Sequence, residues 1–299
     1  MRAARRAGGK ARSQKVRPSR CRPFRTLCCR AVVPSGRCAV RPSHCRAVVH
    51  SGRCAAVLSS VQAVALSCRR PVEGVELKVI SLVSQKGGVG KSSLAVSLAV
   101  VAHEANHSVV VLDADRQGTA VQWAVARKGA PPEVAAVAAD KLEAVIGRLA
   151  ASASAEVAFV DTAGIDGPEA AVAIRLSDLC LVPTRPSAAD LRAVSPTLAA
   201  ILRLEKRFAF VVNQANPRSF RVKDTIKGLE VLGVLAEPVI AMRAAHQDAI
   251  AAGLGVTEIE PLGSAADEMR RLWAWIDGRT GGSVGNETSG GGLAHVAAA

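Results

Sequence analysis

Three absences limit what this 299-residue chain can be. It has no run of about 18 or more apolar residues, so the sequence predicts no transmembrane helix. Beyond residue 75 the only cysteine is Cys180, and a lone cysteine with apolar neighbours is typical of a reduced, cytosolic core. Acidic residues are almost missing from residues 1–74, where Glu73 stands alone against 17 lysines and arginines. That stretch carries +16 of formal charge, whereas the remaining 22 basic and 24 acidic residues leave the body of the chain at −2.

Residues 1–74 also contain an imperfect repeat, which reads CRAVVPSGRCA at 29–39 and CRAVVHSGRCA at 45–55. An Arg- and Ser-rich leader of this kind suits an organellar transit peptide, a metal-binding cysteine segment, or translated sequence ahead of the true start. No C-x-x-C pair with zinc spacing occurs, which disfavours metal binding. We favour upstream sequence, with Val75 as an alternative initiation site, and otherwise expect a disordered leader.

The body of the chain begins with the stretch VISLVSQKGGVGKSS, which starts at Val79. Its first five residues are apolar and β-branched, which predicts a strand buried on both faces. The glycines that follow allow the backbone to curl and point successive N–H groups at an anion. A helical pattern from Lys91 to about Glu104 then places a positive helix N-terminus under the same anion. Together these elements predict a phosphate-binding loop.

The segment from Lys86 to Ser92 resembles the deviant P-loop of the ParA/MinD family of ATPases, although Gln85 stands where G-x-x-x-x-G-K-[ST] has its first glycine. The resemblance implies that Lys91 contacts the β- and γ-phosphates of ATP and that Ser92 ligates Mg²⁺. It also implies that Lys86 reaches the phosphates, in many family members across a dimer interface. The implied nucleotide contacts in this loop are Gly87, Gly88, Val89, Gly90, Lys91, Ser92 and Ser93.

Two further motifs follow in the order that this family has. One apolar strand ends at Asp113-Ala-Asp115, and another ends at Asp161. Carboxylates at the carboxyl ends of parallel strands face the ligand crevice. The resemblance implies that Asp115 positions or activates the attacking water, acting with Lys86 and Lys91 in catalysis, and that Asp113 and Asp161 support Mg²⁺. Arg116 stands where the family has proline.

The rest of the body alternates apolar strands with helical patterns, which predicts an α/β fold with a doubly wound, mostly parallel sheet, as in P-loop NTPases. We expect this ATPase domain to span residues 75–277 and to be followed by a disordered Gly/Ser/Ala tail at 278–299. Ser187 is predicted to cap a helix, and a late strand is predicted at Leu235–Ile240. Asn213 follows the sixth strand, where family members often read the adenine edge; an Asn that only orders the loop is the alternative.

Because the body is almost neutral, any DNA affinity must come from a local basic patch. The dense basic cluster of the body consists of Arg218, Arg221, Lys223 and Lys227, and it is our candidate for DNA contacts, since relatives bind DNA without sequence preference through basic C-terminal helices. A solvated helix face explains the same charges equally well. His246 has no paired nucleophile or second ligand nearby in sequence and is interpreted as structural.

The resemblance is greatest to short ParA-like partition ATPases that lack a helix-turn-helix domain. It implies a slow, partner-stimulated ATP hydrolase that forms a homodimer, binds nonspecific DNA in the ATP state, responds to a ParB-like or other stimulating protein, and is cytoplasmic and nucleoid-associated. The tail lacks a basic amphipathic end, so no membrane partner is expected. The alternatives are a MinD-type membrane-positioning ATPase, a carrier of the iron–sulfur branch, which needs paired cysteines, and a non-hydrolysing regulatory module if Arg116 disables its motif.

Overall fold

The computed structural model describes residues 76–164 and 168–280, so the predictions for the leader and for residues 281–299 lie outside the described residues. The strands in these ranges are β1 (Lys78–Leu82), β2 (Val109–Asp113), β3 (Glu133–Ala136), β4 (Val157–Asp161), β5 (Leu179–Thr184) and β6 (Phe208–Val212). The helices are α1 (Lys91–Glu104), α2 (Thr119–Ala126), α3 (Leu142–Ser152), α4 (Pro168–Leu176), α5 (Ala188–Arg203), α6 (Arg221–Leu232), α7 (Ala244–Ala252), α8 (Val256–Ile259) and α9 (Ser264–Thr280), with a 3₁₀ turn at Ala139–Lys141.

The six strands form one sheet in the order β3-β2-β4-β1-β5-β6, and every neighbouring pair is parallel. The predicted doubly wound α/β fold is therefore confirmed. In the register of the sheet, Asp161 of β4 lies opposite Leu82 of β1 on one side and Asp113 of β2 on the other. The carboxyl ends of the three central strands thus meet at one edge, where such sheets bind ligands.

Both faces of the sheet are covered by helices, as the continuous apolar strands require. Ile80 and Leu82 of β1 belong to the core on one face, and Val79 belongs to the core on the other. Helix α1, which follows β1, is the most enclosed of these helices, because every residue from Leu94 through Ala102 is buried. A helix that is apolar on all sides must be enclosed, and α1 lies between the sheet and helices α2 and α9.

Several element predictions are confirmed by the structure. Helix α1 has the predicted bounds, and Ser187 caps α5, its hydroxyl oxygen accepting a hydrogen bond from the Asp190 N–H at 3.1 Å. Two short helices, α4 and α8, were not predicted. Helix α9 continues to Thr280, past residue 277, where the domain was predicted to end and a disordered tail to begin. Among the described residues, no helix combines the length and the apolar composition that crossing a membrane requires.

The predicted strand at Leu235–Ile240 is wrong. Its two ends do pair with β6: the Ala236 N–H donates to the Phe210 carbonyl, and the Ile240 N–H donates to the Val212 carbonyl, both at 2.8 Å. Pro238 lies between them and has no N–H, so the ladder is interrupted in the middle. The apolar pattern identified the right neighbour of β6, but the proline prevents a regular strand.

Candidate functional site

The loop between β1 and α1 is held in shape by two amide side chains from the end of β6. The Asn213 Nδ2 donates to the Val89 carbonyl at 2.8 Å, and the Gln214 Nε2 donates to the Gly88 carbonyl at 3.2 Å. Gly90 has a φ of +92°, and a Cβ there would lie 2.5 Å from the Asn213 Nδ2. The close approach and the left-handed backbone both require glycine at this position.

Lys91 is a buried cation at the start of α1. It is 9% exposed, and its Nζ donates to the Ser84 carbonyl at 3.4 Å. Burial lowers the pKa of the ammonium group, and the nearby Asp161 and Asp115 carboxylates only partly oppose that effect. Such an ammonium group gains most from an anion that enters the loop, and the β- and γ-phosphates of a nucleotide provide one.

Asp161 is a buried carboxylate at the end of the central strand β4. Neither of its oxygens has a hydrogen-bond partner of normal geometry within the described residues. Burial raises the pKa of Asp161 to about 7, an effect that the nearby Ser92 hydroxyl offsets only in part and that the Asp113 carboxylate increases. A buried, unpartnered carboxylate beside a hydroxyl fits a hard cation, because Mg²⁺ prefers oxygen ligands.

The other two predicted carboxylates have different surroundings. Both oxygens of Asp113 accept backbone hydrogen bonds, from the Asp115 N–H at 3.1 Å and from the Val121 N–H at 3.0 Å. Asp113 therefore shapes its own loop, and any support that it gives to a metal is indirect. Asp115 is half-buried and accepts a hydrogen bond from the Gln117 N–H at 2.9 Å. With the exposed Arg116, both carboxylates line a cavity of about 930 Å³.

No group of three or more His, Cys, Asp or Glu side chains that could hold a metal ion occurs in residues 76–164 and 168–280. A metal at Asp161 and Ser92 would therefore complete its ligand shell with nucleotide oxygens and water, as Mg²⁺ usually does. Cys180, the single cysteine of the described part of the chain, is buried, and burial raises the pKa of its thiol to about 12. The described part of the chain therefore holds no second cysteine with which Cys180 could form the pair that the iron–sulfur alternative needs.

A second cavity, of about 370 Å³, lies on the other side of the loop, between the start of α1 and α7. Ser93, Asn213 and Gln214 contribute to its wall, as do Arg243 and His246. The Arg243 Nε and the His246 Nε2 are buried without a hydrogen-bond partner in the described part of the chain. Burial also lowers the pKa of His246, which keeps the ring neutral near pH 7. A cavity lined by residues whose buried polar atoms lack partners is a candidate ligand site.

Sequence reasoning treated His246 as structural and assigned no role to Arg243. The two residues lie more than eighty positions beyond the last nucleotide motif, which ends at Asp161, and only the fold brings α7 beside α1. The one available signal was the amide pair at 213–214, which marks the same edge of the sheet.

The four predicted DNA-contact residues are all exposed, but the structure divides them. Lys223 and Lys227 lie one turn apart on α6. Arg221 lines a separate cavity of about 470 Å³ that Arg185, from the loop after β5, also lines. Arg218 lies in the preceding loop, where its N–H donates to the Asn216 Oδ1 at 3.1 Å. The basic residues thus surround the end of β6 and do not form one stripe.

A strand, a glycine loop and a helix at the centre of a parallel sheet define a P-loop nucleotide-binding fold. Comparison with known proteins makes the class specific. A family model described as the CobQ/CobB/MinD/ParA nucleotide-binding domain matches residues 80–254, and the chain belongs to that family. The resemblance to ParA/MinD ATPases that the motifs indicated is therefore confirmed.

Two curated relatives are similar in sequence. The maintenance of carboxysome distribution protein A of Gloeobacter kilaueensis is 30% identical over 189 residues, which cover 60% of this chain and 84% of the relative. Protein ParA of Rhizobium radiobacter is 31% identical over 132 residues, which cover 44% of this chain and 59% of the relative.

Solved structures support the fold. The septum site-determining protein MinD of Pyrococcus horikoshii OT3, in complex with Mg-ADP, superposes with a TM-score of 0.58. It is 18% identical, and the superposition covers 69% of this chain and 98% of MinD. At this identity the likeness shows the fold alone.

Proposed function

We propose that the protein is an ATP-dependent, dimerising switch ATPase that positions DNA or a protein cargo and binds nonspecific DNA in its ATP state. The observation that carries the proposal is the meeting of a desolvated lysine and an unpartnered buried carboxylate at the carboxyl edge of β1 and β4. The first requires an anion and the second a cation. Mg-ATP supplies both together, which explains why the sequence tolerates two such groups side by side.

The nucleotide fits the two sides of the loop. We assign the triphosphate to residues 87–93 with Lys91, and the nucleoside to the cavity of about 370 Å³ that Ser93 and Asn213 help to form. Because the Asn213 Nδ2 already donates to Val89, its carbonyl oxygen remains to accept a hydrogen bond from an adenine amino group. The neutral ring of His246 is a second candidate contact to the base or ribose.

Asp161 and Ser92 would hold Mg²⁺, which would neutralise charge that develops on the phosphates during transfer. Asp115 has a carboxylate oxygen that is not used by Gln117, and the residue lines the cavity of about 930 Å³. There it can orient a water for attack on the terminal phosphate. Arg116 is exposed and lines the same cavity.

The switch requires a second subunit. Lys86 lies in the phosphate loop but is exposed, in contrast to Lys91. An exposed lysine at this position can reach the phosphates of a partner subunit's nucleotide, so ATP would complete a homodimer and hydrolysis would release it. We expect turnover to be slow and to be stimulated by a ParB-like or other partner protein.

DNA contacts are assigned to Arg218, Arg221, Lys223 and Lys227, which surround the end of β6 and would act through phosphates without sequence preference. This assignment places the protein in the cytoplasm, on the nucleoid. One observation favours a second candidate, a MinD-type role at membranes. On α6 the two lysines lie between Phe220 and Val231, which are 73% and 85% exposed, and a basic helix with exposed apolar side chains can lie on an anionic bilayer.

The test is binding of the full chain to random-sequence duplex DNA and to anionic liposomes, each with ATP, ADP or no nucleotide and over a salt series. The proposal predicts DNA binding with ATP alone, weakened steeply by salt, and no ATP-dependent liposome binding. Binding to liposomes with ATP and not to DNA would transfer the function to membranes. Binding to neither, together with normal ATP-dependent dimerisation, would refute both surfaces.

A further inference from the structure

The strongest feature outside the assigned site is the cavity of about 470 Å³ between the loop after β5 and the loop after β6. We name it the arginine pocket; its polar lining includes Arg185, Ser187, Gln214, Asn216, Ser219 and Arg221. We propose that the arginine pocket binds a backbone phosphate of DNA and that Gln214 links its shape to the phosphate loop. The proposal rests on the proposed function. It adds Arg185, in the loop after β5, to predicted DNA contacts that all lie after β6.

The chemistry of the arginine pocket suits a phosphodiester. Two guanidinium groups arrive from positions 36 residues apart in sequence, and Asp190 is the one carboxylate in the lining. Guanidinium groups present planar sets of donors that match phosphate oxygens, and they lose little hydration on binding. The hydroxyl and amide groups of the lining add neutral donors around the same space.

Arg185 is held in position for such a contact. Its Nε and Nη2 donate to the Asp190 Oδ1 at 3.4 and 3.2 Å, and Asp190 is 4% exposed. The Ser187 hydroxyl donates to the other oxygen of Asp190, so the carboxylate is fixed from both sides. One edge of the guanidinium is therefore anchored, and the donors of Nη1 remain for a second oxyanion.

Gln214 connects the arginine pocket with the nucleotide site. It lines this pocket and also the cavity of about 370 Å³, and its Nε2 donates to the Gly88 carbonyl. Its φ of +52° is uncommon for a residue with a side chain, so surrounding contacts must hold it there. If a nucleotide moves Gly88, the hydrogen bond should move the Gln214 side chain as well and thereby change the shape of the arginine pocket. DNA affinity would thereby respond to ATP inside each subunit, in addition to any effect of dimerisation.

The experiment compares DNA binding by the full chain with ATP over a salt series for wild type, Arg185→Ala and Arg192→Ala. Arg192 is the matched control, because it is an exposed arginine of α5 outside the lining of the pocket. We expect Arg185→Ala to weaken binding by about tenfold at low salt and to lower the salt slope by about one per subunit. Arg192→Ala should leave both within about twofold of wild type. Arg221→Ala, which loses no ion pair of the described residues, should behave like Arg185→Ala.

A second arm tests the link. With ATP or ADP at saturating concentrations, so that any weakening of nucleotide binding is compensated, Gln214→Ala should lower the ratio of DNA affinities with ATP and ADP by at least about threefold. Gln214→Glu, which cannot donate to Gly88, should do the same. A ratio equal to that of wild type in both variants would overturn the link.

The outcomes separate this proposal from the proposed function. If wild type binds DNA with ATP and both pocket variants match Arg192→Ala, the arginine pocket is not a DNA contact, while the proposed function stands on its remaining contacts Arg218, Lys223 and Lys227. If wild type binds no DNA in any state, the proposed function itself fails and this inference fails with it. If Arg185→Ala loses binding of inorganic phosphate alone and keeps its DNA affinity, the pocket serves a small anion, which also overturns the proposal.

Discussion

The two halves of the sheet on either side of β1 differ in the chemistry that they bring to the same edge. The half formed by β4, β2 and β3 ends in the carboxylates Asp161, Asp113 and Asp115. The half formed by β5 and β6 ends in Arg185, Asn213 and Gln214, with amides and guanidinium groups in place of acids. We call these the acidic half and the amide half.

The difference shows how one loop can serve two tasks. In the acidic half, a buried carboxylate and a shaped Asp loop suit a cation and a reacting water. In the amide half, side chains hold the backbone of the loop, and under the proposed function they would contact a base and phosphates. Changes in the acidic half should therefore affect metal binding and turnover, and changes in the amide half should affect nucleotide recognition and DNA.

The largest effect is expected at the centre, where the two halves meet. Lys91→Ala should lower ATP affinity by at least about a hundredfold, because it removes a buried cation and leaves Asp161 beside unpaired phosphates. Isothermal titration calorimetry measures the change. Lys86→Ala makes the same change in charge at an exposed position, so it should retain ATP binding and lose ATP-dependent dimerisation. Equal ATP affinities in the two variants would remove the distinction between the lysines.

The acidic half predicts a pH dependence. The pKa of Asp161 is raised from 3.8 to about 7, so between these values the folded protein holds a proton that the unfolded chain has released. The contribution of Asp161 to stability therefore falls as pH rises through this window and is constant above it. Because Mg²⁺ needs the carboxylate, Mg-ATP affinity should fall by about tenfold per pH unit below about pH 7.

Asp161→Asn is the control for this prediction. We compare the melting temperatures of wild type and Asp161→Asn, each without nucleotide. The variant should be the more stable protein, and its advantage should grow as pH rises from about 5 to about 7, within the window set by the raised pKa. The variant should also lose the pH dependence of Mg-ATP binding. A difference in melting temperature that does not change with pH would show that Asp161 titrates at its ordinary value.

The amide half predicts a smaller effect on affinity. Asn213→Ala leaves the Val89 carbonyl without its 2.8 Å donor and should weaken ATP binding by about tenfold, as expected for loss of one buried hydrogen bond. Gln117→Ala, an exposed amide beside Asp115, is the matched control in the acidic half and should leave ATP affinity unchanged. If both variants bind ATP like wild type, the amide support of the loop has no energetic role.

The smallest effect is expected in the nucleoside cavity. His246→Ala should weaken ATP binding by about threefold to fivefold and narrow the preference for ATP over GTP, because a neutral imidazole there contributes one polar contact. Turnover at saturating ATP should not change, since His246 and the carboxylates of Asp113 and Asp115 line different cavities. A change in turnover with unchanged ATP affinity would contradict the assignment of this cavity to the base.

Much of the acidic half could be predicted from sequence, because its residues follow directly after apolar strands. Asp115 and Asp161 were identified by that local signal, and Lys91 by the glycine loop that precedes it; the structure brings the three residues to one edge. What the pattern did not show is the separate surroundings of Asp113, whose two oxygens are both used by backbone N–H groups. These hydrogen bonds depend on the backbone conformation of the loop after β2, which the sequence pattern does not show.

The amide half was predicted less well for physical reasons. Asn213 was identified, but Gln214, Arg185 and His246 acquire their roles from neighbours more than a hundred residues away or on other elements. The segment around Pro238 was also predicted only in part. Its apolar pattern identifies a neighbour of β6, but the missing N–H of the proline prevents a regular strand. The basic residues near β6 were also treated as one cluster, whereas in the structure Arg221, at the start of α6, lines a cavity whose lining does not include Lys223 or Lys227.

The central claim is that the acidic half controls the lifetime of a state that the amide half creates. The most direct test is the dissociation of the Asp115→Ala protein from immobilised DNA after loading with Mg-ATP and removal of free nucleotide. The account predicts ATP binding close to that of wild type, hydrolysis lowered by about a hundredfold or more, and a DNA-bound lifetime extended by a similar factor. Release from DNA at the wild-type rate, with hydrolysis blocked, would contradict the claim.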